Sequence, residues 1–169
     1  MKKIIFIPFI FLCLTVFGQK KDTMITYSHV VNVPHQIKDS LFQKAKNWFA
    51  ATLKNSEGFT QNFNEQSGEL SGNSVITVTA KTSDPTEKTY DYAINFETHI
   101  YVKDNQYKYV FTNFYVSNFE WFITSAPKPE YFTNMPNKEQ EQVWNSLKKN
   151  IESNVSSLTN SLKKAMREK

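Results

Sequence analysis

The stretch Thr89–Phe122, which reads TYDYAINFETHIYVKDNQYKYVFTNFYVSNFEWF, decides the fold. Almost every second residue in it is aromatic or β-branched, a pattern that is typical of β-strands. Asp104 and Asn105 interrupt the pattern, and both residue types tolerate the positive φ angles of a two-residue hairpin turn. The stretch therefore predicts a long antiparallel hairpin that the other elements pair with or cover.

The register of this hairpin has two alternatives. A two-residue turn at Asp104-Asn105 is favoured by turn chemistry, whereas a three-residue loop gives better matched side chains across the ladder. The residues that face Ile94 and Ile100 are Tyr115 and Tyr109 in the first register, and Val116 and Val110 in the second. A shift of one residue exchanges the core and solvent faces of the second strand. We expect the first register, and the buried face of Tyr107–Tyr115 depends on it.

The first 18 residues have the pattern of a secretory signal peptide. Two lysines precede an apolar run at Ile4–Phe17, and the small residue Gly18 ends it. The run is shorter than the roughly 20 residues of a membrane-spanning helix. A lipidated cysteine needs a small residue before it, and because Leu12 precedes Cys13 we expect no lipidation. We expect export to the periplasm or the exterior, a flexible segment at residues 19–23, one domain at residues 24–169 and no transmembrane segment in the mature chain.

The composition of the expected mature chain excludes several classes of protein. Removal of Lys2 and Lys3 lowers the formal net charge from +4 to +2, which is far from the basic footprint of a nucleic-acid-binding domain. Loss of Cys13 leaves no thiol, so neither disulfides nor cysteine chemistry are available. The chain has 14 Phe and 8 Tyr against 4 Gly, which favours a bulky core over a glycine-rich phosphate loop.

The remaining elements follow from periodicity. The patterns predict a strand at Met24–Val33, a helix at Asp39–Asn55, a hairpin of Phe59–Gln66 and Glu69–Ala80, an irregular segment at Trp121–Pro136 and a helix at residues 137–167. We expect Asp39 and Ser40 to stabilise the first turn of the first helix by capping and by charge, and Asn137 and Gln140 to form a capping box. Gly72 indicates a bulge or a sharp coil in its strand. The order β-α-β-β-β-β-α predicts an α+β fold with a single antiparallel sheet of about five strands and helices packed on one face.

Several segments together resemble a known family. They are Val31 and Val33, Lys38–Phe42, Ala45 and Trp48–Phe49, Asn64–Gly72, Lys103–Tyr109 and Thr112–Phe114. The span from Val30 to Phe114 resembles a domain of unknown function with a TBP-like (TATA-binding-protein-like) fold that occurs in secreted proteins of Bacteroidota. Asn64 stands where that family is expected to have Asp, and Asn105 where it is expected to have Gly. The resemblance implies the strand and helix order given above and no activity.

The residues with catalytic or metal-binding chemistry are scattered. Glu97 and His99 share one face of a strand and could supply two metal ligands, but a polar pair on a solvated face is the simpler interpretation. Ser71 lies between two glycines without the spacing of a nucleophile elbow. An enzyme would require His29 or His99 to converge with two carboxylates. We expect no catalytic residue, no metal site and no cofactor.

The sequence thus predicts an exported, non-enzymatic binding or interaction domain. A homodimer or an envelope protein is the expected partner, because an aromatic sheet face without cover is too apolar for a free monomer. The alternative is a carrier of a small apolar ligand or lipid in a cavity between the sheet and the last helix. The candidate ligand or partner surface consists of Tyr107, Tyr109, Phe111, Tyr115 and Trp144.

Overall fold

The structure is a computed structural model that describes residues 24–53, 60–81, 89–117, 121–124 and 137–167. Its elements are β1 (Tyr27–Asn32), α1 (Lys38–Thr52), β2 (Gln61–Asn64), β3 (Glu69–Lys81), β4 (Thr89–Lys103), β5 (Gln106–Val116), β6 (Trp121–Phe122) and α2 (Asn137–Arg167). The expected signal peptide and the segment at residues 19–23 lie outside the described residues, as do residues 125–136 of the segment expected to be irregular.

One antiparallel sheet carries the fold. Its strand order is β1-β5-β4-β3-β2, and the two-residue β6 pairs with β5 where β1 has ended. Both helices pack on the same face, with α2 crossing β3 and contacting α1. The α+β class, the single antiparallel sheet and the element order are therefore confirmed, with β6 as an addition at the beginning of the segment that was expected to be irregular.

The core lies between the sheet and the two helices. On β4 every second side chain from Ile94 to Val102 is buried, which gives this strand one inner and one outer face. On α2 the buried residues recur at spacings of three and four, as expected for one stripe of a helix against a sheet. These are Val143, Trp144, Leu147, Ile151, Val155, Thr159, Leu162 and Met166.

The hairpin of β4 and β5 combines the two expected registers. Near the turn, Ile100 pairs with Tyr109, as a two-residue turn requires. Beyond a β-bulge, Ile94 pairs with Val116, as the three-residue alternative predicted. Asn113 has a φ of 55° and supplies the extra residue on β5, so each register holds on one side of the bulge. The expectation of the first register along the whole hairpin was wrong beyond this point.

The bulge decides which residues of β5 are buried. Between the turn and the bulge, the odd-numbered residues from Tyr107 to Phe111 point inward, and after it Phe114 and Val116 do so. The ring of Phe96 on β4 consequently stacks on Phe114, with centroids 5.4 Å apart and an interplanar angle of 13°. One extra residue therefore keeps aromatic side chains on the inner face along the full length of β5.

The start of α1 differs from the expected capping. The N-cap residue is Ile37, which makes no side-chain capping hydrogen bond. The Lys38 N–H donates instead to Oδ1 of Asp104 at 2.7 Å, and the Asn105 N–H donates to the Gln36 carbonyl oxygen at 2.8 Å. The hairpin turn thus caps a helix that lies far away in sequence, and Asp39 contributes only its charge to the first turn.

One further local expectation, at Gly72, requires correction. Gly72 causes no bulge, because the β3–β4 register runs without a shift through it. A Cβ atom there would lie 2.6 Å from the carbonyl oxygen of Thr60 and 3.2 Å from the ring of Phe49, so close packing requires the glycine. At α2 the Gln140 side chain donates to the Asn137 side chain at 3.4 Å, which brings together the two residues of the expected capping box.

Candidate functional site

Four of the five candidate surface residues lie in the core. Tyr107, Tyr109 and Phe111 point from β5 toward the helices, and Trp144 points from α2 toward the sheet. Only Tyr115 lies on the outer face, where its half-buried ring contacts Phe122 at 5.7 Å. The bulge and the helices bury the other four residues, so a partner that docks on the outer face of the sheet would not contact them.

The layer between sheet and helices is packed with aromatic rings. Phe96 contacts both Phe111 and Phe114, with ring centroids 6.2 Å and 5.4 Å apart. On the helix side, Trp48 of α1 packs edge-on against Phe49 and donates its indole N–H to Ser161 of α2 at 3.1 Å. Aromatic rings therefore fill this part of the described interior by packing on one another, and Phe111 of the predicted ligand surface is one of them.

The outer face of the sheet has no helix against it among the described elements. Val30 of β1, Tyr101 of β4 and Phe122 of β6 are 48%, 39% and 43% exposed there. They alternate across the ladder with Thr, Ser, Asn and Glu side chains, so the face is mixed in polarity. Exposed aromatics among polar residues are common in protein interfaces.

A charged group lies in the middle of this outer face, and we call it the His99 group. It consists of Glu69 on β3 and Glu97, His99 and Tyr101 on β4. Nε2 of His99 lies 3.3 Å from Oε2 of Glu97, and Nδ1 of His99 lies 3.9 Å from Oε1 of Glu69. The rings of His99 and Tyr101 are stacked, with centroids 6.2 Å apart and an angle of 5°. Histidine is thus held between two carboxylates and one aromatic ring.

The electrostatics of the group affect Tyr101. Partial burial raises the pKa of the Tyr101 hydroxyl, and the charge of Glu69 and a hydrogen bond to it raise that pKa further. The hydroxyl therefore stays protonated and serves as a donor to the carboxylate. Glu69 and Glu97 are both half-exposed, which leaves their negative charge available to a cation approaching from solvent.

A shallow depression adjoins the His99 group. It has a volume of about 260 Å³, and its lining includes Asn62, Ser71, Glu97 and His99. Pockets for small molecules usually occupy about 300–1,000 Å³. The depression is therefore better matched to one side chain of a partner than to a complete ligand.

The arrangement gives little support to catalysis. Ser71 faces His99 across the ladder, but the two ring nitrogens lie near carboxylate oxygens. His29 lies on the other side of the sheet against Tyr109, and His35 lies in the turn before α1 with a φ of 67°. Within the described ranges, no group of three or more His, Cys, Asp or Glu side chains is placed to hold a metal ion.

An open groove separates β1 from α2 on the inner side. Its volume is about 540 Å³, and Tyr27, His29 and Tyr109 line it on the sheet side. Glu152 and Lys163 line it on the helix side. Burial raises the pKa of the Tyr27 hydroxyl, and the charge of Glu152 adds to that shift. The groove thus lies along an edge strand and carries charges of opposite sign.

Glu69, Tyr101 and Phe122 had no place among the sequence candidates. Each belongs to the outer face only because of strand pairing between distant segments, since Glu69 pairs with Tyr101 and Phe122 with Tyr115. Side chains alternate between the two faces of a strand, and this alternation puts Tyr101 on the same face as Glu97 and His99. Extending that face from Glu97 and His99 by two residues would have found Tyr101.

Tyr107 allows a test of its structural role through pH. Its side chain is 1% exposed, its hydroxyl has no hydrogen-bond partner among the described residues, and burial raises its pKa to about 12. The unfolded state ionises near pH 10, so the stability that depends on neutral Tyr107 is present below pH 10 and is lost as the pH rises toward 12. We expect Tyr107→Phe to unfold less readily than wild type at pH 11, and to be equal or more stable at pH 7, because it removes an unpaired buried hydroxyl.

Urea unfolding of both proteins at pH 7, 9 and 11 measures this difference. Tyr101→Phe is the matched comparison, because the Tyr101 side chain is exposed and its hydroxyl donates to Glu69, so the same substitution there removes a hydrogen bond and not an unpaired buried hydroxyl. A loss of stability at pH 7 in Tyr107→Phe would show that the hydroxyl has a partner and would contradict the prediction.

The described helices include none that is long and apolar enough to span a membrane.

Comparison with known proteins bears on the family and the fold. The sequence model of a family described as a domain of unknown function (DUF4468) with TBP-like fold matches residues 27–117, which is more than half of the chain. A search of curated proteins gives no match.

Solved structures agree with the TBP-like fold. A DUF4468 family protein from Bacteroides ovatus has a TM-score of 0.62 at 12% identity, over 86% of this chain and 88% of that chain. A TBP-like protein from Parabacteroides distasonis has a TM-score of 0.53 at 16% identity, over 83% and 93%. The Zhui aromatase/cyclase from Streptomyces sp. R1128 has a TM-score of only 0.38 at 16% identity, over 86% and 95%, which carries no argument about function. The match of the family model over residues 27–117 shows that the chain belongs to the DUF4468 family of domains of unknown function with a TBP-like fold.

Proposed function

We propose that the protein is an exported, non-enzymatic binding domain that holds an envelope protein against the outer face of its sheet. The observation that carries this proposal is the one-sided cover of the sheet. Both helices pack on the inner face, while the outer face presents Phe122 and the His99 group, which includes the exposed Tyr101. Aromatic residues contribute large contact areas at low entropic cost and are enriched in interfaces.

The chemistry of the His99 group indicates which partner would fit. Two half-exposed carboxylates, Glu69 and Glu97, flank His99, and the His99 ring stacks on the Tyr101 ring. Lysine and arginine combine favourably with carboxylates and with aromatic faces. The adjacent depression of about 260 Å³ has room for the stem of such a side chain. The partner is therefore a protein that inserts a basic side chain into this depression, beside Glu97 and His99.

The carrier alternative has weaker support. Aromatic rings fill the described space between sheet and helices, and the groove beside β1 is open to solvent. A ligand carrier usually buries most of its ligand in an enclosed pocket. A partner on the outer face requires no such cavity.

Site-specific photocrosslinking in the native host tests the binding proposal. A photoreactive phenylalanine analogue at position 101 is expected to give one discrete cross-linked protein, and the same analogue at position 145, on the exposed side of α2, is expected to give none. Glu97→Gln should lower the yield at position 101 about tenfold, which corresponds to about 1.4 kcal/mol of binding free energy. Asp91→Gln, a substitution on the same strand face away from the group, is the control and should leave the yield unchanged.

Absence of any product from position 101 in cells that contain the folded protein excludes a partner on this face. An equal product from position 145 would show that the cross-links are unspecific. A product that Glu97→Gln leaves unchanged would keep the face as the site and exclude the basic side chain as the recognised group.

A further inference from the structure

The strand β1 forms one edge of the sheet, and its outward groups can be identified. The Val33 N–H donates to the Asn105 carbonyl oxygen at 2.8 Å, in the same ladder that pairs Val31 with Tyr107. In an antiparallel ladder, alternate residues direct both main-chain groups to the same neighbour. The odd-numbered residues of β1 therefore bond to β5. The N–H and C=O groups of Ser28, Val30 and Asn32 point away from the sheet, and no described strand pairs with them.

This edge lacks the usual protection against pairing. Edge strands in soluble proteins are commonly short, or they carry lysine, proline or a bulge. β1 has six residues with the sequence YSHVVN, which contains no lysine, arginine, acidic residue or proline, and its register with β5 has no shift. The opposite edge strand, β2, has only four residues. The aliphatic side chain of Val30 is 48% exposed in the middle of β1. The edge is thus competent to accept another strand.

We propose that β1 pairs antiparallel with β1 of a second copy of this chain, about a two-fold axis at Val30. In this register Val30 faces Val30 of the second copy, and Ser28 faces Asn32. All three pairs use the residues whose main-chain groups point outward, so about six hydrogen bonds form without any rearrangement of the sheet. The two sheets then continue into one another, and the exposed valines contact each other on the outer face.

The charges along the groove between β1 and α2 favour a second copy over an unrelated strand. Glu152 lies near Tyr27, at the beginning of β1. Arg167 acts electrostatically on Tyr107, the partner of Val31 near the end of β1, and Lys163 lines the groove. α2 therefore runs in the same direction as β1, from an acidic to a basic end. A two-fold axis reverses one copy and brings the Glu152 end of each groove toward the basic end of the other.

This contact is separate from the binding face. It uses the edge of β1, whereas the proposed partner site uses the face of β3 and β4. The two proposals can therefore fail independently. Strand-edge pairing buries less area than a standard interface, so we expect a dissociation constant of about 1–100 μM.

Disulfide trapping tests the contact and its register together. Residues 14–169 contain no cysteine, so an introduced cysteine can form a disulfide only with the same cysteine of a second chain. Val30→Cys in the chain from residue 19 is expected to form a disulfide-linked dimer under mild oxidation, because hydrogen-bonded strand pairs have Cα atoms about 5.5 Å apart, within the range that a disulfide spans. Ser28→Cys is the matched control on the same strand and face. Its two copies would lie about 14 Å apart and should stay unlinked.

Sedimentation equilibrium between about 1 μM and 1 mM gives the second readout, over the range of the expected dissociation constant. Val30→Pro removes an N–H that β5 does not use and should raise the dissociation constant at least tenfold, whereas Val30→Thr keeps the N–H and should change it less than threefold. Val75→Lys on the outer face of β3 should leave the edge dimer intact. A monomer at all concentrations, equal trapping of Val30→Cys and Ser28→Cys, or a dimer that only Val75→Lys disrupts would overturn the proposal.

Discussion

Replacing Trp144 by alanine is expected to lower the free energy of unfolding by about 3–5 kcal/mol. The side chain is fully buried at 0% exposure, and it is among the largest buried side chains of the described residues. It projects from α2 into the layer that faces the aromatic side chains of the sheet. Truncation removes the transfer free energy of an indole and leaves a cavity that rigid neighbouring strands cannot fill.

Urea unfolding monitored by circular dichroism measures this loss, and Asn145→Ala is the matched control in the same turn of α2. Asn145 is exposed, so its replacement should change the stability by less than about 0.5 kcal/mol. Trp144 was predicted as part of a ligand or partner surface. If it served mainly a ligand, Trp144→Ala would reduce binding and cost less than about 1 kcal/mol of stability, in contrast to the expected loss for a core tryptophan.

The sequence predicted those parts of the fold that depend on local periodicity. The stripe of α2 and the alternation of β3 and β4 follow from the spacing of apolar residues, because a helix and a strand repeat every 3.6 and 2 residues. The β4–β5 register could not be predicted in this way. Asn113 adopts a positive φ and breaks the alternation of β5, and nothing in its neighbours marks it as different from Asn105, which has the same sign of φ in the turn.

The candidate site was harder to predict than the fold. Glu97 and His99 lie two residues apart, so a sequence pattern can place them on one strand face. Glu69 joins them only because β3 pairs with β4 in one particular register. The cap of α1 by Asp104 has the same origin, since the two residues of the contact are 66 positions apart. Contacts between distant segments depend on how the strands pair in the assembled sheet, so local sequence patterns cannot predict them.

Gly68→Ala is expected to destabilise the protein by about 3 kcal/mol, from backbone strain of about 1–2 kcal/mol and from overpacking of at least a similar size. Gly68 ends the turn between β2 and β3 with a φ of 74°, in the left-handed region that favours glycine. A Cβ atom there would overlap the carbonyl oxygen of Val102 on β4. The Gly68 carbonyl oxygen also accepts the Val102 N–H at 2.8 Å, so the turn cannot move away without losing this bond.

Two substitutions separate the contributions to this loss. Gly68→Asn relieves part of the backbone strain, because asparagine tolerates positive φ, but it keeps the overlap with Val102. It should therefore remain destabilising by at least about 1.5 kcal/mol. Gln66→Ala in the same turn is the control, since its side chain is exposed and only its carbonyl oxygen is used, by Lys38 Nζ at 2.8 Å. If Gly68→Asn were as stable as wild type, the close approach to β4 would not limit this position, and the glycine would be required only for its backbone angle.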